Sequence, residues 1–340
     1  MKLRILNLLS DERMGGVKTS LSSLMSSRLN AKFEFEIAPL KRAIASLRIF
    51  QTNNQPDIII VHDACSWKIL PRLFLLKILL KIYKQKSKLV IQDHHYSATF
   101  ERLKVPSLSR FRLMLKLSHW CADRLIVVSI AQSEWILQHQ LIKPNKLAIF
   151  PQSLNCDRFL ALPLKPIEKP LVFAAYGRFN EQKGFDVLLK AVQLLPDLNF
   201  YLKIAGYGSD EGLLKKIAAD HPQVQFMGKI DDVPTFLNNC DVVIIPSRWE
   251  PWGNVCLEAK ASGKPIVASA VDGLVEQIQG LGLLVPPDDP QALAKAIAQI
   301  CEMTTEELSD RGIRGRESVR NAWDRHLTDW EDLLCQLLGT

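Results

Sequence analysis

No stretch of about 18 uncharged apolar residues occurs in the 340-residue chain, so no membrane-spanning helix is expected. The apolar residues near the N-terminus are few, interrupted by Asn7 and closed by Asp11 and Glu12. That is too short for a secretory signal and suits a first buried strand. The seven cysteines (Cys65, Cys121, Cys156, Cys240, Cys256, Cys301, Cys335) form no CxxC pair and are odd in number. A disulfide framework and a zinc site are therefore disfavoured, and reduced thiols in a cytoplasmic protein are expected. Nothing repeats at a fixed period and no segment is low-complexity. The GxGxxG fingerprint is missing, because position 211, after Gly206 and Gly208, is Glu, so a dinucleotide oxidoreductase is unsupported. No acidic residues are spaced to hold Mg²⁺ or Mn²⁺; Asp231 and Asp232 are adjacent and suit a loop before a helix.

What is present is an ordinary globular balance, 47% hydrophobic and 23% charged, at a length that favours two domains. Apolar, β-rich runs occur at 3–9, 57–61, 88–91, 124–128 and 147–150, then at 171–175, 199–205, 223–226, 241–246, 265–268 and 282–285. Most are continuous rather than alternating, as in parallel strands buried on both faces, and segments of helical length lie between many of them. The expected class is α/β, with two doubly wound, Rossmann-like domains facing across a cleft. Three prolines within eight residues (Pro163, Pro166, Pro170) mark a linker. The expected division is 1–160, 161–318, and a C-terminal helix over 319–340 packing back on the first domain.

The segment SRWEPWGNVCLEAKASGKPIVAS (247–269) reads loop, helix, strand. Asn254 is a candidate N-cap, so the helix should begin near Val255 and end at Gly263. Its start offers free N–H groups to a diphosphate or a hydroxyl. Glu250 and Glu258 lie on either side of that start, so that one carboxylate can reach a sugar while the other accepts from ribose hydroxyls. A capping acid plus a surface acid is the plain alternative. Arg178 and Lys183, in a loop after the first strand of the second domain, are placed to stabilise charge on a leaving diphosphate.

These motifs carry a resemblance. Glu250-x7-Glu258 in its setting, with AYGRFNEQKG (175–184), IAGYG (204–208) and AVDGLVE (270–276), resembles the retaining glycosyltransferases of family 4, which have the GT-B fold. The resemblance spans nearly all of the C-terminal half. It implies a metal-independent hexosyltransferase whose co-substrate is a nucleotide-diphosphate sugar, UDP- or GDP-linked, with no further cofactor. It implies donor contacts from Gly15, Gly16, Arg178, Lys183, Gly206, Gly208, Glu250, Gly253, Asn254, Val255 and Glu258. Gln152 and Ser153 replace the family's usual Asn and Gly at the crossover. His94, after the strand ending at 91, aligns with a family histidine near the anomeric centre, and His95 is a sugar or acceptor contact. In the implied front-face mechanism the donor's phosphate oxygen takes the acceptor's proton. His94 and Glu250 then position and stabilise, while Arg178 and Lys183 carry the leaving group. A UDP-sugar epimerase of the same architecture, or a nucleotide-sugar-binding protein without activity, are the competing readings. The overall likeness to bacterial enzymes of surface polysaccharide and lipopolysaccharide synthesis implies a glycan or lipid-linked acceptor.

The charge is uneven. Residues 1–160 hold 25 Lys and Arg against 11 Asp and Glu, whereas 161–340 hold 18 against 25. From 66 to 89 there are seven basic residues and no acid, and a second basic stretch (Arg102, Lys104, Arg110, Arg112, Lys116) follows within 102–116. Lys77, Lys81, Lys84 and Lys88 recur at helical spacing opposite Leu73, Leu76, Leu80 and Tyr83. This fits either a solvated face over a core helix or an anionic membrane surface, the latter implying peripheral attachment to the inner face of the cell membrane. No recognition helix, stacking platform or zinc module supports a nucleic-acid partner.

Overall fold

The structure is a computed structural model that describes residues 2–10, 15–46 and 55–339. The chain forms two compact units, Met1–Leu154 with Asp324–Thr340, and Asn155–Trp323. Each is built on one six-stranded parallel sheet. In the first unit the strands are β1 (Leu3–Leu8), β2 (Phe33–Ala38), β3 (Ile58–Val61), β4 (Lys88–Asp93), β5 (Arg124–Val127) and β6 (Leu147–Ile149), in the order β2-β1-β3-β4-β5-β6. In the second they are β7 (Leu171–Arg178), β8 (Phe200–Tyr207), β9 (Val224–Gly228), β10 (Val242–Ile245), β11 (Ile266–Ser269) and β12 (Leu283–Val285), in the order β12-β11-β10-β7-β8-β9. Helices cover both faces of a parallel sheet, so central strands carry apolar residues on both faces. The Ile-Ile-Ile-Val run of β3 and the Val-Val-Ile-Ile run of β10 are buried at every position.

These orders fix where loops diverge. In the second sheet β7 and β10 are neighbours, and succeeding strands run away from them in opposite directions. β1 and β3 have the same relation in the first. Crevices at such switch points open beyond the carboxyl ends of the strands.

One strand escapes the sequence reading. β2 (FEFEIA) alternates apolar with acidic residues, because it is an edge strand whose outer face meets solvent. The break between the units also falls at Leu154–Asn155 rather than at 160. The short helix Asp157–Leu160 buries Phe159, and Arg316 donates to the carbonyls of Leu160 and Leu162, which ties this stretch to the second unit. The terminal helix Ala322–Leu338 lies mostly in the first unit. Trp330 and His326 pack on Phe150, and Glu331 pairs with Arg28 and Lys32.

The basic region differs from expectation in four respects. The helix there spans Leu70–Ile82 only, so Lys84, with φ 50°, is beyond it and Lys88 begins β4. Leu73, Leu76 and Leu80 are buried as expected, but Tyr83 is exposed at the helix end. The outer face is not purely polar, for Leu75, Ile78 and Ile82 are 44%, 52% and 65% exposed. Arg112 is not a free surface charge; it forms a bidentate pair with the buried Glu101 at 2.9 and 2.7 Å. All seven cysteines are free thiols, and five are buried.

Candidate active site

In the second unit the loops that follow β7 and β10 are clamped together. After β7 ends at the exposed Arg178, a 3₁₀ turn over Glu181–Lys183 is capped by Asn180, whose side chain accepts from the Lys183 N–H at 3.3 Å. Arg248, three residues past β10, donates twice to Asp186 at 2.8 Å, to Asp288 at 2.9 Å and to the Glu181 carbonyl at 2.8 Å. This clamp brings Lys183 onto Glu250, and the two form an ion pair. Glu250 is only 7% exposed and also accepts from Ser247 Oγ at 3.3 Å. Its backbone is held by the 270–276 turn, with the Glu250 N–H donating to Asp272 Oδ2 at 3.0 Å and Gly273 N–H donating to the Glu250 carbonyl at 3.2 Å.

The helix Asn254–Ala261 is capped by Gly253, not by Asn254, which is its first residue. Gly253 takes φ 96°, and a Cβ there would stand 3.0 Å from both Glu250 Cγ and Leu274 Cδ2. Asn254 and Val255 form the opening turn of this helix. Further along the same helix, Glu258 accepts from the Tyr176 hydroxyl of β7 at 2.7 Å. Burial pushes the Glu258 carboxyl up to about 7, against the opposing pull of the Tyr176 hydrogen bond and the Lys183 charge. Burial, and then the Glu258 charge, holds the Tyr176 phenol well above its usual value, so it remains a donor. Gly206 and Gly208 have a packing role. A Cβ at either would lie 1.9 Å from the Gly177 carbonyl oxygen or 2.2 Å from that of Phe179, so β8 can close on the β7 loop only as glycine.

In the first unit a histidine cluster sits beyond β3 and β4. His62 follows β3, and its Nδ1 lies 3.2 Å from His94 Nε2 while its Nε2 lies 2.9 Å from Asn7 Oδ1. Asn7 Nδ2 donates to the Glu36 carbonyl at 3.4 Å, which leaves Oδ1 as acceptor. Proton positions then follow outward: His62 Nε2–H donates to Asn7, and His94 Nε2–H donates to His62 Nδ1. His94 Nδ1 is left as a buried lone pair with no hydrogen bond of normal geometry among the described residues. Burial, followed by the charge of His95, lowers His62 to about 3. Burial also holds His94 well below the usual histidine value, with the neighbouring histidines adding to it and Gln152 opposing. Both rings are neutral near pH 7. His95 donates through Nε2 to the His62 carbonyl at 3.1 Å, and its N–H donates to Asp93 at 2.8 Å.

Gly15 and Gly16 open the helix Gly15–Met25 rather than forming a free loop, and the preceding residues 11–14 lie outside the described residues. Gln152, in place of the expected asparagine, donates to the Gly16 carbonyl at 3.3 Å and to Ser20 Oγ at 2.6 Å. The geometry thus groups Lys183, Glu250 and Glu258 in one unit and His94 with His95 in the other. It adds four residues that sequence reasoning passed over: Asn7, His62, Tyr176 and Asp272. Three of them carried a signal, since His62 immediately follows a strand, and Tyr176 and Asp272 stand inside motifs already singled out.

Residues 163–318 match the family described as Glycosyl transferases group 1. The lipopolysaccharide core biosynthesis glycosyltransferase LpsE of Rhizobium meliloti is 36% identical over 160 residues, which are 46% of this chain and 44% of that protein. Sucrose-phosphate synthase from Thermosynechococcus elongatus superposes with a TM-score of 0.78 at 22% identity, covering 99% of this chain and 100% of that one. Anabaena HepE in complex with UDP and glucose gives 0.75 at 18% identity, covering 98% and 99%. The two sheets are those of GT-B glycosyltransferase structures. The chain spans about half the length of the curated relatives it matches first, 44% and 57%.

Proposed function

We propose that this chain, whose residues 163–318 are a group 1 glycosyl transferase domain, moves a hexose from a UDP- or GDP-sugar to a glycan or glycolipid acceptor with retention of configuration and without a metal. The observation that carries the reading is the grouping of Lys183, Glu250, Tyr176 and Glu258 at the switch point of the second sheet. It combines a cation, two carboxylates in different environments and a helix start, which is what a nucleotide sugar demands.

The roles follow from the free valences. Lys183 gives one N–H to Glu250, and two remain for diphosphate oxygens. With Arg178 it meets the charge that builds as the C1–O bond to phosphate breaks. Glu258 has Oε2 occupied by Tyr176, so Oε1 accepts from ribose hydroxyls. Glu250, held by Ser247 and Asp272, accepts from sugar hydroxyls. In the second unit Gly253, at the start of the helix Asn254–Ala261, lets backbone approach the diphosphate, while Gly206 and Gly208 let β8 close on the loop after β7. In the first unit Asn7 and His62 set the tautomer of His94, which the resemblance assigns to the anomeric centre, and His95 is assigned to the sugar or acceptor. The acceptor oxygen bonds to C1 on the face the phosphate leaves, and the departing phosphate oxygen takes its proton. The similarity to LpsE supports a surface-glycan acceptor.

Among the described residues no helix is long and apolar enough to cross a membrane. The outer stripe of Leu75, Ile78 and Ile82, flanked by the exposed Lys81 and Lys84, supports peripheral contact with an anionic membrane surface. Co-sedimentation with phosphatidylglycerol vesicles at low salt tests this, and loss of sedimentation in Ile78→Glu/Ile82→Glu is expected. The transfer reaction is tested by incubation with UDP- and GDP-hexoses and sugar acceptors, followed by proton NMR of the new anomeric signal. Retained configuration with nucleoside diphosphate release supports it. Inversion, or turnover without an acceptor, sinks it.

A further inference from the structure

The first unit carries a groove that the transfer reaction does not use. Its volume is about 680 Å³, and it lies where the helices Leu108–Cys121 and Ile130–Gln138 end beside the turn Pro144–Lys146. These segments lead into the amino ends of β5 and β6, whereas the histidine cluster lies beyond the carboxyl ends of β3 and β4. All these strands are parallel, so groove and cluster sit at opposite ends of one sheet.

The lining is amphipathic and of one charge. Trp120, Leu137 and Ile142 supply apolar surface, Lys116, Lys143 and Lys146 supply cations, and among the described residues no carboxylate lines the groove. Trp120 is 61% exposed yet held in place. Lys77 Nζ stands 4.5 Å from its ring centroid and donates to the carbonyls of Trp120 and Cys121 at 2.8 and 3.0 Å, and Phe74 packs 5.7 Å away. An indole fixed in water beside unopposed lysines is a surface prepared for an apolar, anionic occupant. Beneath it His119, 1% exposed, donates from Nδ1 to the Leu141 carbonyl at 3.2 Å, and its Nε2 has no partner among the described residues. Burial lowers His119 to about 4, so at neutral pH the ring is uncharged and Nε2 is an acceptor for a hydroxyl.

We propose that this groove binds the head of an anionic, hydroxyl-bearing phospholipid, its phosphate on Lys116, Lys143 and Lys146 and the start of its acyl chain over Trp120, Leu137 and Ile142. The site rests on the first unit alone and does not require the transferase reading. It also differs from general adsorption through residues 66–89, because it selects one lipid molecule by phosphate, hydroxyl and chain together.

The test uses dihexanoylphosphatidylglycerol below its micelle concentration, with the full chain and its Trp120→Phe variant. The wild-type minus variant fluorescence isolates Trp120. A saturable blue shift in that difference is expected, weakened at least about tenfold in Lys116→Gln/Lys143→Gln and with dihexanoylphosphatidylcholine. Both lysines are exposed, so the double variant should keep its circular dichroism and midpoint, and Lys146→Gln is the second variant. A response that does not saturate, that is equal for choline, or that survives the lysine changes overturns the proposal. Displacement by millimolar inorganic phosphate alone also overturns it, because that marks a plain anion site. Vesicle sedimentation reads the surface contact separately. A lysine variant that loses the lipid monomer but still sediments, by way of Ile78 and Ile82, supports a site distinct from adsorption.

Discussion

Replacing Glu258 by glutamine should reveal how this carboxylate couples stability to pH. Its carboxyl titrates near 4.5 when free and is pushed up to about 7 in the fold. Folding therefore favours the protonated form. The burden is absent well below 4.5, grows as pH rises, and is complete above about 7. The gap corresponds to roughly 3 kcal/mol, most of which should develop between about pH 5 and pH 8. The side chain is partly exposed, so solvent screening trims this to about 1–2 kcal/mol. The glutamine amide oxygen can keep the hydrogen bond from Tyr176, while the substitution removes the charge. Guanidinium unfolding followed by Trp249 and Trp252 should place Glu258→Gln close to wild type at about pH 5. At about pH 8 the variant should be about 1–2 kcal/mol more stable. A difference that is the same at both pH values refutes the reasoning, because it would mean that Glu258 carries no buried charge.

Lys183→Ala leaves Glu250 buried without its cation and should lower stability by about 3 kcal/mol in denaturant titrations. Lys183→Met/Glu250→Gln should recover most of that loss, and a double mutant no better than Lys183→Ala counts against the pair. Gly253→Ala forces a side chain into φ 96° against Glu250 and Leu274 and should cost about 1–3 kcal/mol of stability. Gly280→Ala, also at positive φ but with nothing within 4 Å, should be milder by thermal melting and should leave sugar transfer unchanged. His62, His119 and His326, lowered to about 3, 4 and 4, are neutral in the folded first unit and bind protons when it unfolds. Its stability should fall as pH drops below about 6.5, and hydrogen exchange of β4 and β5 at about pH 7 and pH 5 checks the sign.

The sheets were legible because buried parallel strands are written as continuous apolar runs, as in Ile58–Val61 and Val242–Ile245. β2 was not, since an edge strand alternates and resembles a polar turn. The grouping of Lys183, Glu250 and Glu258 was legible because they lie in short motifs whose spacing follows from strand–loop–helix geometry. Tyr176 and Asp272 stand in those motifs, but their roles depend on contacts across 82 and 22 residues of chain. Asn7 and His62 are joined across 55 residues by the order of the sheet, which local sequence does not encode. The basic helix misled because charge periodicity continued past Ile82, where the helix ends and β4 takes over the lysines.

Thermal shift with UDP-, GDP- and ADP-sugars, on wild type and on Glu258→Ala, tests the central claim most directly. Ligand at about 100 times its dissociation constant stabilises the fold by about 2.7 kcal/mol, a rise of roughly 5–10 °C for a unit of this size. A rise with one nucleotide class that Glu258→Ala abolishes is the predicted result. No rise with any nucleotide sugar, or one that Glu258→Ala leaves intact, contradicts the donor site placed at Lys183, Glu250 and Glu258.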